Sequence, residues 1–189
     1  MNIPNAITFA RLLSVPVFIW LLVKEYTDAA FWLFLAAAIS DALDGIIAKK
    51  FNMQTILGAY LDPIADKVLL VTAFIVLGSK GLIPIWLVIT VVSRDALIVG
   101  GALLFDTLTG DLSITPLRVS KLNTTVQLLL ILAVMLPDVF TLPHEPMITL
   151  LSYIVLATTL ASGAAYVYIW THRAHVFENA SKNRSGNEP

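Results

Sequence analysis

An all-α integral membrane protein, a six-transmembrane-helix bundle with a short N-terminal interfacial helix, is the fold class that three observations predict. Apolar residues fill 58% of the 189 positions and charged residues only 13%, with a mean hydropathy of +0.83, far from the balance of a water-soluble domain. Apolar stretches of about 20 residues recur along the chain, the length that a hydrocarbon core of about 30 Å demands of a helix. Short polar or Pro/Gly-bearing segments separate those stretches. A net charge of −1 offers no footing for nucleic acid, and the absence of cysteine excludes disulfides.

The elements follow in order. Asn2, Asn5, Thr8 and Arg11 stand among apolar neighbours before the run at 12–23, which predicts a short interfacial helix leading into the first membrane helix, with a bend at Pro16. A cleaved signal peptide fits poorly, because the basic residue comes late and no small-x-small cleavage site follows. Trp20, Tyr26 and Trp32 flank the polar turn at 24–28 as an aromatic belt does. Further helices are predicted at 29–49, 58–79, 82–106, 118–137 and 146–172. Pro63 is tolerable only in a first turn or at a kink. Residues 1–176 form one membrane domain, and the polar stretch 177–189 is predicted to be a disordered cytoplasmic tail.

Basic residues set the orientation. The termini and even-numbered loops hold Arg11, Lys49, Lys50, Arg118, Lys121, Arg173, Lys182 and Arg184, against Lys24 and Lys80 in the odd loops. The positive-inside bias therefore places both termini and the 50–57 connection on the cytoplasmic side, in a bacterial inner membrane.

Four acids interrupt the apolar pattern between residues 40 and 67: Asp41, Asp44, Asp62 and Asp66. A carboxylate at the end of a hydrophobic helix is costly unless a cation or water compensates it, which makes a functional reading the default. Asp41, Asp44, Ala48 and Lys49 fall at i, i+3, i+7 and i+8 on one helical face; Gly58, Asp62 and Asp66 fall at i, i+4 and i+8 on another. A short connection makes the two helices antiparallel neighbours, so both faces meet at one end of a hairpin. Carboxylates gathered there repel one another unless divalent cations lie between them. Hard oxygen donors, with neither Cys nor a nearby His, select Mg²⁺ or Mn²⁺.

The pattern Asp41-x-x-Asp44-Gly45-x-x-Ala48-Lys49, eight residues, then Gly58-x-x-x-Asp62-x-x-x-Asp66 resembles the signature of the CDP-alcohol phosphotransferase family at that family's spacing. One position departs: the family usually has arginine where this chain has Lys49, which keeps the charge and loses the bidentate fork. The resemblance implies transfer of a substituted phosphate from a CDP-linked donor to a hydroxyl acceptor, with release of CMP. It further implies a two-metal site on Asp41, Asp44, Asp62 and Asp66, with Asp66 also the general base. Gly45, Lys49 and Gly58 are then expected along the cytidine diphosphate, beside Asp41 and Asp44. The opening NIPNAITFAR resembles members that make phosphatidylglycerophosphate or cardiolipin from CDP-diacylglycerol. LIPIWLVITVVSRDALIVGG, PLRVSKLNTTVQL and AYVYIWTHRA look closer to CMP-forming cardiolipin synthases, whose acceptor is phosphatidylglycerol. Glycerol 3-phosphate, the acceptor of phosphatidylglycerophosphate synthase, is the alternative.

Basic residues elsewhere suit an anionic acceptor. Arg94 lies mid-helix beside Asp95, with no other charge close in sequence; it faces a phosphate-holding cavity or braces one of the four acids, or else forms a buried ion pair with an acid on a neighbouring helix. Asp95, about 100° away around the helix, is not the expected partner. Arg118, Lys121 and Asn123 open the fifth helix, where a helix N-terminus adds donors for an anion. Lys67 follows Asp66 and either neutralises the acids or touches substrate phosphate. Gly100-Gly101 and the small-residue run at 161–165 serve packing within the bundle or a homodimer contact. His144, His172 and His175 lack metal-ligand company. Carboxylates in membrane helices also line ion or proton paths. A transporter would place them at mid-membrane between repeated halves, and this chain has them at one end with no repeat.

Overall fold

The computed structural model describes the backbone of residues 3–51, 56–109, 118–136 and 145–185, and the side chains of 9–40, 65, 67–101, 119–136 and 145–171. The described residues form six helices: α1 (Ile3–Val23), α2 (Thr27–Phe51), α3 (Ile56–Ser79), α4 (Ile85–Thr109), α5 (Arg118–Met135) and α6 (Glu145–Ser185). Tight turns join α1 to α2 and α3 to α4, which makes each pair antiparallel neighbours.

The separate interfacial helix expected at the N-terminus is absorbed into α1, which continues through Pro16. Its length is held by packing: Arg11, Val15, Phe18 and Leu22 recur at helical spacing on one buried face, and α1 packs on both α2 and α3. Pro63 lies in the interior of α3 rather than its first turn. At the other end of the chain α6 runs to Ser185, past the tail boundary expected at residue 177. Ala174, Glu178, Ala180 and Lys182 favour helix, and neither Gly nor Pro intervenes before Gly186.

α5 packs on α6, α6 on α4, and α3 on both α4 and α5. Their shared core is aromatic and aliphatic, with Phe18, Phe34, Phe74, Leu77, Leu87, Leu130 and Ile131 fully buried. The outer surface is apolar too. Leu13, Trp20, Trp32, Ile89, Leu150, Tyr153, Leu160 and Tyr168 are exposed, more apolar surface than a protein facing only water carries. Among the described residues, Glu145–Thr171 is long and apolar enough to cross a membrane by itself, while Phe9–Val23, Thr27–Ser40, Lys67–Ser79 and Val119–Met135 are shorter apolar helices.

At the end where α1 turns into α2 and α3 into α4, both leading helices close with the same hydrogen-bond pair. Tyr26 and Glu25 donate to the carbonyls of Leu21 and Leu22, as Leu82 and Gly81 do to Leu77 and Gly78. The motif needs a left-handed residue, which is Gly81 (φ 76°) in one case and Glu25 (φ 63°) in the other.

Candidate active site

α2 and α3 are helical through every signature position: Asp41, Asp44, Gly45, Ala48 and Lys49 on α2, Gly58, Asp62 and Asp66 on α3. The side chains of those eight residues lie outside the described residues, as does that of Arg118. The backbone carries the expected pattern of faces. One turn deeper, where side chains are described, α2 and α3 line a common cavity of about 50 Å³ through Phe34, Ala37, Ala38, Leu69 and Leu70. Ala38 precedes Asp41 by three residues and Leu70 follows Asp66 by four, so the cavity lies one helical turn inward of the acidic positions.

Arg11 of α1 and Thr124 of α5 complete that cavity. Arg11 is 95% buried, at 5% exposure. Its charge enters the sequence reading as a mark of the interfacial segment and of orientation, yet the structure places it beside the cavity below the acidic positions of α2 and α3. Its isolation within an apolar helix was the available sign, since a buried arginine in such a setting is functional or paired by default.

The second feature of this end is a buried charge network spanning four helices. Asp95 Oδ1 accepts from Arg94 Nη1 at 2.6 Å and from Lys67 Nζ at 2.7 Å. Arg94 Nη2 donates to Ser120 Oγ at 2.7 Å and also to Ser162 Oγ. The Arg94 guanidinium carbon lies 6.0 Å from the centre of the Tyr166 ring, within cation–π range. Side-chain exposure is 4% for Arg94, 6% for Asp95 and 29% for Lys67. Arg94 is thus buried and joins α4 to α5 and α6, and among the described residues the acid it meets lies on its own helix rather than on a neighbouring one. Its acid partner is Asp95 after all. The 100° between neighbouring Cβ atoms separates their bases, but a long arginine stem turns back far enough for Nη1 to reach an adjacent carboxylate.

α5 sorts its polar residues to different sides. Lys121 is exposed, whereas Asn123 is fully buried against α6, its Oδ1 accepting from Thr158 Oγ1 at 2.8 Å and Thr159 Oγ1 at 2.9 Å. Asn123 is therefore an interhelix contact rather than part of an anion site. Gln127, one turn on, is fully buried, and neither of its side-chain polar atoms has a partner among the described residues. Of the small-residue positions, a Cβ on Gly101 would overlap the Trp170 ring and one on Gly163 would sit 3.6 Å from Arg94 Cγ, while Gly100 faces open space. Gly101 serves close packing of α4 on α6, while a Cβ on Gly163 would make only ordinary contact.

Among the described residues no three potential ligands gather to hold a metal ion; the four aspartates, whose side chains lie outside those residues, are of the donor type that would suit one. Carboxylates without thiolate or imidazole suit a hard divalent cation. Lys67 on α3 itself, with Arg94 of α4 and Arg11 of α1, supplies positive charge around that end.

Comparison with known proteins agrees with the signature. The family model described as CDP-alcohol phosphatidyltransferase matches residues 1–170. The chain is 36% identical over 185 residues to the chloroplastic CDP-diacylglycerol–glycerol-3-phosphate 3-phosphatidyltransferase 1 of Oryza sativa subsp. japonica, covering 88% of this chain and 56% of the relative. It is 34% identical over 198 residues to a cardiolipin synthase (CMP-forming)/mitochondrial hydrolase fusion protein of Schizosaccharomyces pombe, covering 97% of this chain and 33% of that one. With the CDP-diacylglycerol–glycerol-3-phosphate 3-phosphatidyltransferase of Bacillus subtilis it shares 32% identity over 181 residues, covering 87% of this chain and 93% of the relative. The chain thus spans about half of the rice protein and a third of the yeast one. By signature, helical setting and sequence match together, this chain belongs to the CDP-alcohol phosphatidyltransferase family.

Proposed function

We propose that this chain is a CMP-forming phosphatidyltransferase that uses CDP-diacylglycerol and makes cardiolipin from phosphatidylglycerol. The observation that carries the reading is the complete acidic signature on two consecutive helices, α2 and α3, in a chain whose family match runs through both. Asp41, Asp44, Asp62 and Asp66 are the residues that would hold Mg²⁺ or Mn²⁺. Bound there, two cations offset the negative charge of the donor diphosphate and of the departing CMP. Gly45 and Gly58 let the backbone approach the cytidine diphosphate, and Lys49 supplies a point charge to it. Asp66 takes the proton of the acceptor hydroxyl. The acceptor oxygen forms a new bond to the phosphatidyl phosphorus, the phosphoanhydride bond to CMP breaks, and CMP carries away the bonding pair.

Glycerol 3-phosphate as acceptor is the second reading, favoured by the names of the rice and Bacillus relatives. Both acceptors are anionic, so the basic residues near the site suit either. Purified protein given CDP-diacylglycerol and Mg²⁺ or Mn²⁺ separates them: CMP release is expected with phosphatidylglycerol, and release with glycerol 3-phosphate alone would assign the other product. No CMP with either would end the phosphatidyltransferase reading.

The six helices, the apolar outer surface and the charge bias support six membrane spans with both termini and the acidic end in the cytoplasm. The chain has no cysteine, so single cysteines can report the topology. Asn52→Cys is expected to be shielded from an impermeant thiol reagent in intact cells, and Lys80→Cys to be labelled. The reverse result would invert the orientation.

A further inference from the structure

We propose that a cavity at the end of the bundle opposite the acidic signature binds a phospholipid through a primary ammonium headgroup. The cavity holds about 460 Å³ and lies where the α3–α4 turn meets the start of α6, a size within the range of small-molecule sites. Glu145, Thr149, Ser152 and Tyr153 of α6 line it together with Trp86 of α4 and Gly81 of the turn. None of these residues has a part in the phosphatidyltransferase reading, and the site does not depend on that reading.

The lining favours a cation that can donate hydrogen bonds. Among its described members Glu145 alone carries a charge. The Thr149 hydroxyl donates to the Glu145 carbonyl at 2.9 Å and the Ser152 hydroxyl to the Ile148 carbonyl at 2.8 Å, so both have spent their hydrogens and keep lone pairs for a ligand. Gly81 and Leu82 likewise donate their amide hydrogens to the carbonyls of Gly78 and Leu77. Ser152 is 3% exposed, which sets its lone pairs inside the protein rather than in solvent. Trp86 and Tyr153 stack with ring centres 6.1 Å apart and planes at 30°, and the negative faces of such rings attract an ammonium. A primary ammonium brings three N–H donors to these acceptors; a quaternary one brings none. The surroundings name a lipid as the bearer. Trp86 and Tyr153 are exposed, and Ile89 and Leu150, one helical turn away from them, extend an exposed apolar surface on which acyl chains can lie. Lys80, exposed and adjacent to Gly81, places a cation near the rim for the phosphate of the same headgroup.

The test is titration of the delipidated, detergent-solubilised protein with dioleoyl phosphatidylethanolamine or dioleoyl phosphatidylcholine, in EDTA and without CDP-diacylglycerol, read by native mass spectrometry. Wild-type protein is expected to bind the ethanolamine lipid about tenfold more tightly than the choline lipid, the difference that charge-assisted hydrogen bonds make. Glu145→Gln should weaken the ethanolamine lipid about tenfold and leave the choline lipid within about threefold. Trp86→Leu should weaken both about threefold, because a π face attracts either ammonium. Equal affinity of wild type for the two lipids, the behaviour of an ordinary interfacial aromatic belt, would overturn the proposal, as would a Glu145→Gln variant with the wild-type preference. Should Glu145→Gln fail to fold, Thr149→Val/Ser152→Ala removes two acceptors and is expected to narrow the preference; an unchanged preference there also overturns it. O-phosphoethanolamine, which has no acyl chains, separates the two sources of the amine: failure to displace the lipid at about hundredfold excess supports a lipid site, and displacement would reassign the cavity to a free amine and overturn the lipid assignment.

Discussion

The two halves of this bundle are held together by different means. Toward the turns that join α1 to α2 and α3 to α4, the interior is Leu22, Phe74, Leu77, Ile83, Leu87 and Met135, apolar and buried. Toward the signature positions it contains Arg11, Arg94 and Asp95, each about 5% exposed, with Ser162 and Asn123 beside them. Apolar packing tolerates small adjustments, because many weak contacts share the load. A buried charge network does not, since removing one member leaves another uncompensated. The half that carries the candidate chemistry is therefore the half with fewer ways to rearrange, which is what positioning a phosphate and a hydroxyl requires.

Substitutions at the two ends should differ in kind. Asp66→Asn is expected to cut turnover about 10³-fold by removing the base, while affinity for CDP-diacylglycerol stays within about threefold. Parallel loss of rate and donor affinity would argue against the assigned role. Asp95→Asn is next: breaking the buried pair should cost about 3 kcal/mol of stability, read as a fall in detergent-solubilised thermal midpoint. At the apolar half, Phe74→Ala should cost on the order of 2 kcal/mol, chiefly lost packing, because lipid supplies little of the transfer term that water would. Its acceptor and donor KM values should not move; a shift in either would show that the two halves are mechanically coupled. Gln127→Leu removes a buried amide with no partner among the described residues and should be neutral or stabilising by about 1 kcal/mol. Lys49→Arg is the smallest change: it restores a bidentate donor and should keep or raise activity, within about threefold. A collapse would mean that the pocket is built around lysine.

Much of the helix order was legible because hydropathy and charge spacing act locally. Five apolar stretches after the first matched α2 to α6 to within a few residues at most ends. The continuity of α1 was not legible, since Pro16 reads as a break until the buried stripe of Arg11, Val15, Phe18 and Leu22 is seen against its neighbours. That α6 runs on to Ser185 was not legible for the opposite reason: polarity signals solvent exposure, and solvent exposure does not forbid a helix. Around the site, the signature positions proved helical as their spacing required. Arg94 was flagged correctly as needing an anion, but its partner was not, because that depends on where a flexible stem turns.

By itself the sequence determined the family, the acidic signature with its donor chemistry and the bias of charge between the two sides, all consequences of residue type and spacing along one helix. Tertiary structure alone decided that Arg11 lies beside the cavity below the acidic positions, that Asn123 faces α6, and that Lys67 and Arg94 share one oxygen of Asp95. These are meetings between residues far apart in the chain or between side chains with several rotatable bonds. Their outcome is set by which helices pack together and at what register, and no local pattern encodes that.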